Sequence, residues 1–297
     1  MTELQPAKPN LQVAYDYCQH LASQHYENFP TASKLIHARL RPAVAAIYAF
    51  ARTADDIADE GSDSAEERLQ ALDAWESLID TCPQGFEQQC IHLALNDAIQ
   101  RFQLPEQALR DLLTAFRMDC RIQSYAVEDE LMQYCHYSAN PVGRLMLALY
   151  GIRDSQAMQA SDAICTALQL TNFWQDFSID HPKGRCYLPE SWLQAQKLTA
   201  SQLTQGDVGM EQARDSIQHA FDVTESLFIQ GRTLFPMLPF RLRLQIIATW
   251  HGGMHILTAS KKLNNPLKTR PKLHKKDWLF MVPKILWDTL FPPKVGQ

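Results

Sequence analysis

Apolar residues recur at helical spacing along almost the whole chain, and no stretch alternates long enough to make a strand. The periodic segments are 11–27, 41–60, 64–80, 88–102, 105–124, 129–150, 155–179, 208–232 and 239–264. They are rich in alanine, leucine, glutamine and glutamate, all good helix formers. Boundary signals agree with that reading. Ser64 with Glu67 three residues later has the form of a capping box, and Pro42 and Pro105 suit first helical turns. Gly61, Gly85 and Gly151 stand where helices should stop. Low glycine (11 of 297 residues) argues against a sandwich or barrel, and no Ser/Gly linker divides the chain. The expectation is an all-α fold in which residues 1–297 form one domain, with a core over 12–265 and a tail over 266–297.

Bulk chemistry narrows the class. A formal net charge of -5 excludes a generic nucleic-acid binder. The seven cysteines are scattered and lack any CxxC pair, which predicts free thiols in a reducing cytoplasm rather than a disulfide framework or zinc ribbon. The first ten residues have neither the apolar core of a signal peptide nor an Arg-rich amphipathic pattern. No apolar run approaches the roughly 20 residues needed to span a bilayer. A cytoplasmic protein, in solution or peripheral on the inner membrane face, is expected.

Two acidic clusters interrupt the apolar pattern. In "ARTADDIADEG", at about 100° per helical residue, Tyr48, Arg52, Asp55 and Asp59 share one stripe with Asp56 on its flank. On an exposed helix two aspartates at i, i+4 repel mildly, so taken alone the stripe reads as a solvated face. The second cluster, "LQLTNFWQDFSID", aligns Asn172, Asp176 and Asp180, with Gln169 one turn earlier and Trp174 turned away into packing. Acidic stripes on two otherwise apolar helices are costly to bury unless a positive partner compensates them. Oxygen donors without His or Cys favour Mg²⁺, which keeps waters and completes its shell with phosphate oxygens. The stripes therefore suit a diphosphate held through magnesium. Arg52, Lys183 and Arg185 stand beside them as candidate phosphate contacts, against the plainer reading of solvated charges.

These residues resemble the squalene/phytoene synthases. "FPTASKLIHARLRPAVAAIYAFARTADDIADEG", "YCHYSANPVGRLM" and "LTNFWQDFSIDHPKGRCYLP" are similar to three separated blocks of that family, in the family's order. The resemblance covers roughly residues 12–265. It implies an isoprenoid-synthase helical bundle with a central active-site cavity. Asp55, Asp59, Asp176 and Asp180 would bind Mg²⁺ with help from Asn172. Arg52 would contact diphosphate, and Tyr134 would stand near the ionising carbon. Tyr48, Gln169, Lys183, Arg185 and Tyr187 join the implied substrate contacts. Ser138, Ala139 and Gly143 would leave room for a prenyl chain, although close helix packing explains small residues equally well.

Within the family, "ARTADDIADEG" together with "NFWQD" is most similar to the bacterial branch that forms hydroxysqualene in hopanoid synthesis. Condensing members commonly have arginine where Gln175 stands. The resemblance implies presqualene diphosphate as substrate, supplied by a presqualene diphosphate synthase and passed on to a flavin-dependent reductase. Magnesium is the one expected cofactor; no NADPH or flavin is expected, since no GxGxxG follows a strand. Gln175 could help hold the water that captures the cation, because a glutamine amide accepts a hydrogen bond and arginine does not; alternatively it only avoids an extra charge. Two rival readings remain: head-to-head condensation of two prenyl diphosphates, and a non-catalytic assembly factor of the same fold.

Two features lie outside this scheme. "HGGMH" places His251 and His255 at i, i+4 without a third metal ligand, and structural histidines are expected there. The tail interleaves basic and bulky apolar residues. It reads either as an interfacial helix on an anionic membrane or as a terminal helix docked on the bundle.

Overall fold

The computed structural model describes residues 9–24, 35–122 and 124–293. The end of the first expected helix (25–27) and Phe29 to Lys34 of the first family block lie outside them. Among the described residues every regular element is helical and there is no strand. Two compact units emerge, Met1–Arg121 with Arg144–Arg153, and Ile122–Gly143 with Asp154–Gln297. The chain passes between them three times without a linker composition, which is why the sequence offers no boundary.

The first unit contains α1 (Leu11–Gln24), α2 (Arg41–Asp59), α3 (Ala65–Glu76), α4 (Phe86–Phe102), α5 (Glu106–Asp119) and most of α7 (Asn140–Leu149). Helix α2 is its centre, packed by α1, α3, α4 and α5. Every residue from Ala43 to Phe50 is buried, and the four alanines among them let neighbouring helices approach closely. Trp75 locks α3 against α2: its ring stacks on Phe50 at 5.8 Å, and its Nε1–H donates to the Phe50 carbonyl at 3.2 Å. The capping box at Ser64 and Glu67 forms as the sequence predicts. Gly61 turns the chain at φ +85°, and Arg68 closes the end of α2 by donating to the carbonyls of Ala58 and, at 3.0 Å, Gly61. The acidic end of α2 is thereby fixed.

The second unit contains α6 (Glu128–Ser138), α8 (Ser155–Gln175), α9 (Phe177–Asp180), α10 (Glu190–Gln194), α11 (Ala200–Gln205), α12 (Met210–Gly231), α13 (Phe240–Lys261) and α14 (Lys275–Leu290). Helix α8 packs on α12 and α13. Gly231 permits the first contact, because a Cβ there would stand 2.3 Å from Ile164. Trp174 is fully buried and donates to Thr224 at 2.8 Å, the packing role its place on the helix predicts.

Several boundaries differ from the periodicity. Segment 129–150 is two helices, because Pro141 has no N–H to give the Tyr137 carbonyl and its ring crowds that carbonyl. Segment 155–179 breaks at Asp176, whose backbone leaves the helix at φ −102°, ψ 12°. Segment 105–124 ends at Asp119 with Pro105 as its N-cap rather than inside the first turn. Gly85 is the N-cap of α4 rather than the stop of a preceding helix. Segment 64–80 is helical only to Glu76 and finishes as a 3₁₀ turn. Helices α10 and α11 are too short for periodicity to reveal them.

Candidate active site

Each of the two units carries acidic residues on a helix end. On α2, Arg52 is gripped by its own helix. Its Nη1 lies 3.1 Å from Asp55 Oδ2, and its Nη2 pairs with Asp56 and, at 3.0 Å, with Glu60 Oε1. Asp56, placed by the sequence only on the flank of the stripe, is thus a direct partner of the arginine. Burial pushes the Asp55 carboxyl above the ordinary range; Arg52 draws it back, and the charges of Asp59, Asp56 and Glu60 push it further up. Asp59 is exposed, whereas Tyr48 is buried one turn before Arg52, with its phenol raised by burial.

The acidic turn of the second unit is built on the break at the end of α8. The Asp176 N–H donates to the carbonyls of Asn172 (3.0 Å) and Phe173 (3.3 Å), and its own carbonyl accepts from Asp180 N at 2.9 Å. Asn172, Asp176 and Asp180 therefore sit on successive turns although the helix is interrupted. Burial raises the Asp180 carboxyl, and Asp176 beside it raises it further; Lys183, Arg185 and Arg270 pull it down. The two loop cations singled out from sequence thus do act on this carboxylate. Lys183 is exposed and Arg185 half-buried.

Sequence reasoning missed Arg270. Its guanidinium bonds to Asp176 Oδ1 through Nε and reaches Oδ2 through Nη2 at 3.4 Å. Next to it, Gln175 Nε2 donates to the Pro271 carbonyl at 2.7 Å. The Gln175 –NH₂ is therefore engaged by backbone, and Oε1 is the end with which it would accept a water.

Behind the polar turn stands an aromatic wall. Phe173, the residue after Asn172, stacks on Tyr187 with ring centroids 3.8 Å apart and planes 10° apart. Tyr134 lies 5.8 Å from Phe173 and 5.9 Å from Tyr125, which in turn neighbours Tyr187 at 6.4 Å. Tyr134 and Tyr187 are thus brought together, joined by Phe173 and Tyr125, which no periodicity marked. Ser138, at the end of α6, has a buried hydroxyl without a hydrogen-bond partner among the described residues. Ala139 forms the break after it, and Gln169 is half-buried one turn before Asn172. Gly143 is a packing glycine: a Cβ there would stand 2.4 Å from Ser161 Oγ and 2.7 Å from Cys165 Sγ.

Among the described residues no three His, Cys, Asp or Glu side chains converge closely enough to hold a metal ion by themselves. Each unit instead offers oxygen donors that include a carboxyl raised chiefly by burial, Asp55 in the first and Asp180 in the second. Such open, all-oxygen donor sets fit Mg²⁺, which retains waters and takes phosphate oxygens, better than a metal that demands a closed cage. His251 and His255 are structural, paired with Asp288 at 2.8 Å and Asp277 at 3.5 Å. None of the seven cysteines forms a disulfide.

Comparison with known proteins shows the family and the fold. The squalene/phytoene synthase family profile matches residues 22–277. The chain is 37% identical to hydroxysqualene synthase of Rhodopseudomonas palustris over 74% of each chain. It is 33% identical to the Sinorhizobium fredii hydroxysqualene synthase, over 86% of this chain and 84% of that one. Among solved structures it is similar to squalene synthase HpnC from Alicyclobacillus acidocaldarius, with a TM-score of 0.78 and 34% identity over 85% of this chain and 94% of that one. A dehydrosqualene synthase shares the fold at a TM-score of 0.74 and 20% identity, over 93% of this chain and 96% of that one. The all-α architecture is that of the isoprenoid-synthase helical bundle, and the chain belongs to the squalene/phytoene synthase family.

Proposed function

We propose that this protein converts presqualene diphosphate to hydroxysqualene and diphosphate, with magnesium and without NADPH or flavin, as a step of squalene and hopanoid synthesis. The observation that carries the reading is the order of groups at the end of α8. An oxygen-rich turn flanked by cations, at Asn172, Asp176 and Asp180, follows directly on the aromatic wall of Phe173, Tyr187 and Tyr134. That order suits a substrate with an anionic head and a hydrocarbon body that becomes a cation. The hydroxysqualene synthases at 33% and 37% identity favour the alcohol as product.

In this account the C–O bond to diphosphate breaks, and the bonding electrons leave with the diphosphate. Arg52, Lys183, Arg185 and Arg270 stabilise that developing charge, a preorganised electrostatic effect. Asp55 and Asp59, and likewise Asn172, Asp176 and Asp180, would hold magnesium, which would supply further positive charge against the leaving group. The cyclopropylcarbinyl cation rearranges against the aromatic faces of Tyr134 and its neighbours, an attraction worth about 2 kcal/mol when desolvated. Water then adds to the allylic cation and loses a proton, which gives the alcohol. The Gln175 Oε1 is the proposed acceptor for that water. A presqualene diphosphate synthase would supply the substrate, and a flavin-dependent reductase would consume the product.

Incubation of the purified protein with presqualene diphosphate and Mg²⁺, beside a second reaction with farnesyl diphosphate alone, tests the assignment. Hydroxysqualene from the first and nothing from the second is expected. A C30 product from farnesyl diphosphate alone would move the protein to the condensing reaction, a reading favoured by its 31% identity to a maize chloroplast phytoene synthase over 68% of this chain and 49% of that one.

A further inference from the structure

Helix α14 is built inside out. It docks on α13 through Met281, Ile285 and Thr289, none more than 5% exposed. Both of its carboxylates lie on the docked side, Asp277 with His255 and Asp288 with His251 and Arg232. Arg243 adds a bond to the Thr289 carbonyl at 3.3 Å. At about 100° per residue these positions fill one arc of the helix. The opposite arc carries Leu279, Phe280, Val282, Leu286, Trp287 and Leu290, with Phe291 just beyond. Leu279, Phe280, Trp287, Leu290 and Phe291 are each 61–76% exposed. The docked face is thus the one with acids, and the outward face is apolar.

The charges around that face have one sign. Lys275 and Lys284 border it, Lys276 lies within its first turn, and the approach to the helix adds Lys268 and Lys272. No Asp or Glu stands on the outward arc, in a chain whose overall charge is -5. A contiguous exposed apolar patch of this kind marks an interaction surface. A second copy of the chain is a poor partner, because a two-fold contact would set these lysines against themselves. Bulky aliphatic and aromatic groups interleaved with lysines match the boundary between acyl chains and anionic headgroups.

We infer that the outward face of α14 docks the protein on an anionic lipid bilayer, lying in the interface plane rather than crossing it. Among the described residues no helix is long and apolar enough to cross a membrane. Both sequence readings of the tail then hold at once: one face of the helix binds the protein and the other binds lipid. The inference stands on surface chemistry and does not depend on which reaction the enzyme performs.

Flotation of the full-length protein with phosphatidylglycerol-containing vesicles and with pure phosphatidylcholine vesicles tests it. Recovery with the anionic vesicles should exceed that with the neutral ones by about tenfold or more. The triple variants F280S/W287S/L290S and K275E/K276E/K284E should each lose that recovery. None of these residues belongs to the docked face or the candidate active site, so the thermal melting temperature should persist. Fluorescence separates insertion from mere adhesion: brominated acyl chains should quench the wild type more than W287F. The inference is overturned if the wild type fails to float. It is equally overturned if both triple variants float as well as wild type, or if the wild type is a dimer by light scattering that F280S/W287S/L290S dissociates.

Discussion

Arg270 lays its guanidinium across the carboxylate of Asp176, ninety-four residues earlier in the chain. The acid that the family resemblance assigns to magnesium is therefore already neutralised by an internal cation. In the proposed reaction Arg270 shifts from Asp176 to diphosphate oxygens when metal and substrate arrive. Arg270→Ala should lower kcat/KM by about 10²-fold, the scale of removing one preorganised charge contact. Arg270→Lys should recover only part of that loss, because an ammonium lacks the planar fork. Titration of Mn²⁺ in the absence of substrate should show tighter binding to R270A than to wild type, since Asp176 no longer has a competing partner. Weaker Mn²⁺ binding would contradict the exchange.

In the proposed reaction the raised carboxyls of Asp55 and Asp180 set the acid limb of activity. A carboxyl whose pKa is raised takes up its proton at a higher pH, and the protonated form no longer binds the metal. On lowering the pH, kcat/KM should therefore fall earlier than ordinary aspartates would dictate. Raising the Mg²⁺ concentration should shift that limb to lower pH. Asp55→Asn and Asp180→Asn should abolish most turnover at every pH; a pH profile independent of Mg²⁺ would count against the assignment.

Tyr134 separates the two uses of an aromatic ring. If its face stabilises the cation, Tyr134→Phe should stay within a few-fold of wild type, whereas Tyr134→Leu should lose about 30-fold in kcat, the equivalent of about 2 kcal/mol. Single-turnover rates on presqualene diphosphate measure this directly. A large loss in Tyr134→Phe would assign the role to the phenol hydroxyl instead.

His181 offers a stability test apart from chemistry. Its imidazole is buried against Phe177, and burial lowers its pKa from 6.5 to about 4. Between those values the unfolded chain binds the proton and the folded one does not, so stability falls as the pH drops through that window. The contribution is intact above pH 6.5 and reduced by about 2 kcal/mol at pH 5. Urea unfolding of wild type and His181→Phe at pH 7 and pH 5 isolates it. The difference between the two proteins should shift by about that amount in favour of the variant at the lower pH.

Much of the architecture is legible in the sequence because long amphipathic helices advertise themselves by period, and Ser64 with Glu67 marks a start by its chemistry. The acidic stripes are legible for the same reason, since Asp55 with Asp59, and Asn172 with Asp176 and Asp180, keep four-residue spacing. What escapes is whatever depends on contacts distant in sequence. Arg270 reaches Asp176 from a segment without periodicity, and Tyr125 joins Tyr134 from a loop. The break at Asp176 is hidden because its neighbours continue the helical pattern. The docked and outward faces of α14 could not be assigned from the tail alone, because apolar residues surround the helix and only the partners of Asp277 and Asp288 reveal which side is inward.

Water, rather than hydride or a proton-loss step, ends the proposed reaction. Turnover of presqualene diphosphate with Mg²⁺ in ¹⁸O-enriched water, without NADPH, tests this most directly. Hydroxysqualene whose hydroxyl carries the solvent label, formed together with diphosphate, is the expected product. Squalene or an unoxygenated polyene as the main product, or an alcohol without the label, would contradict it.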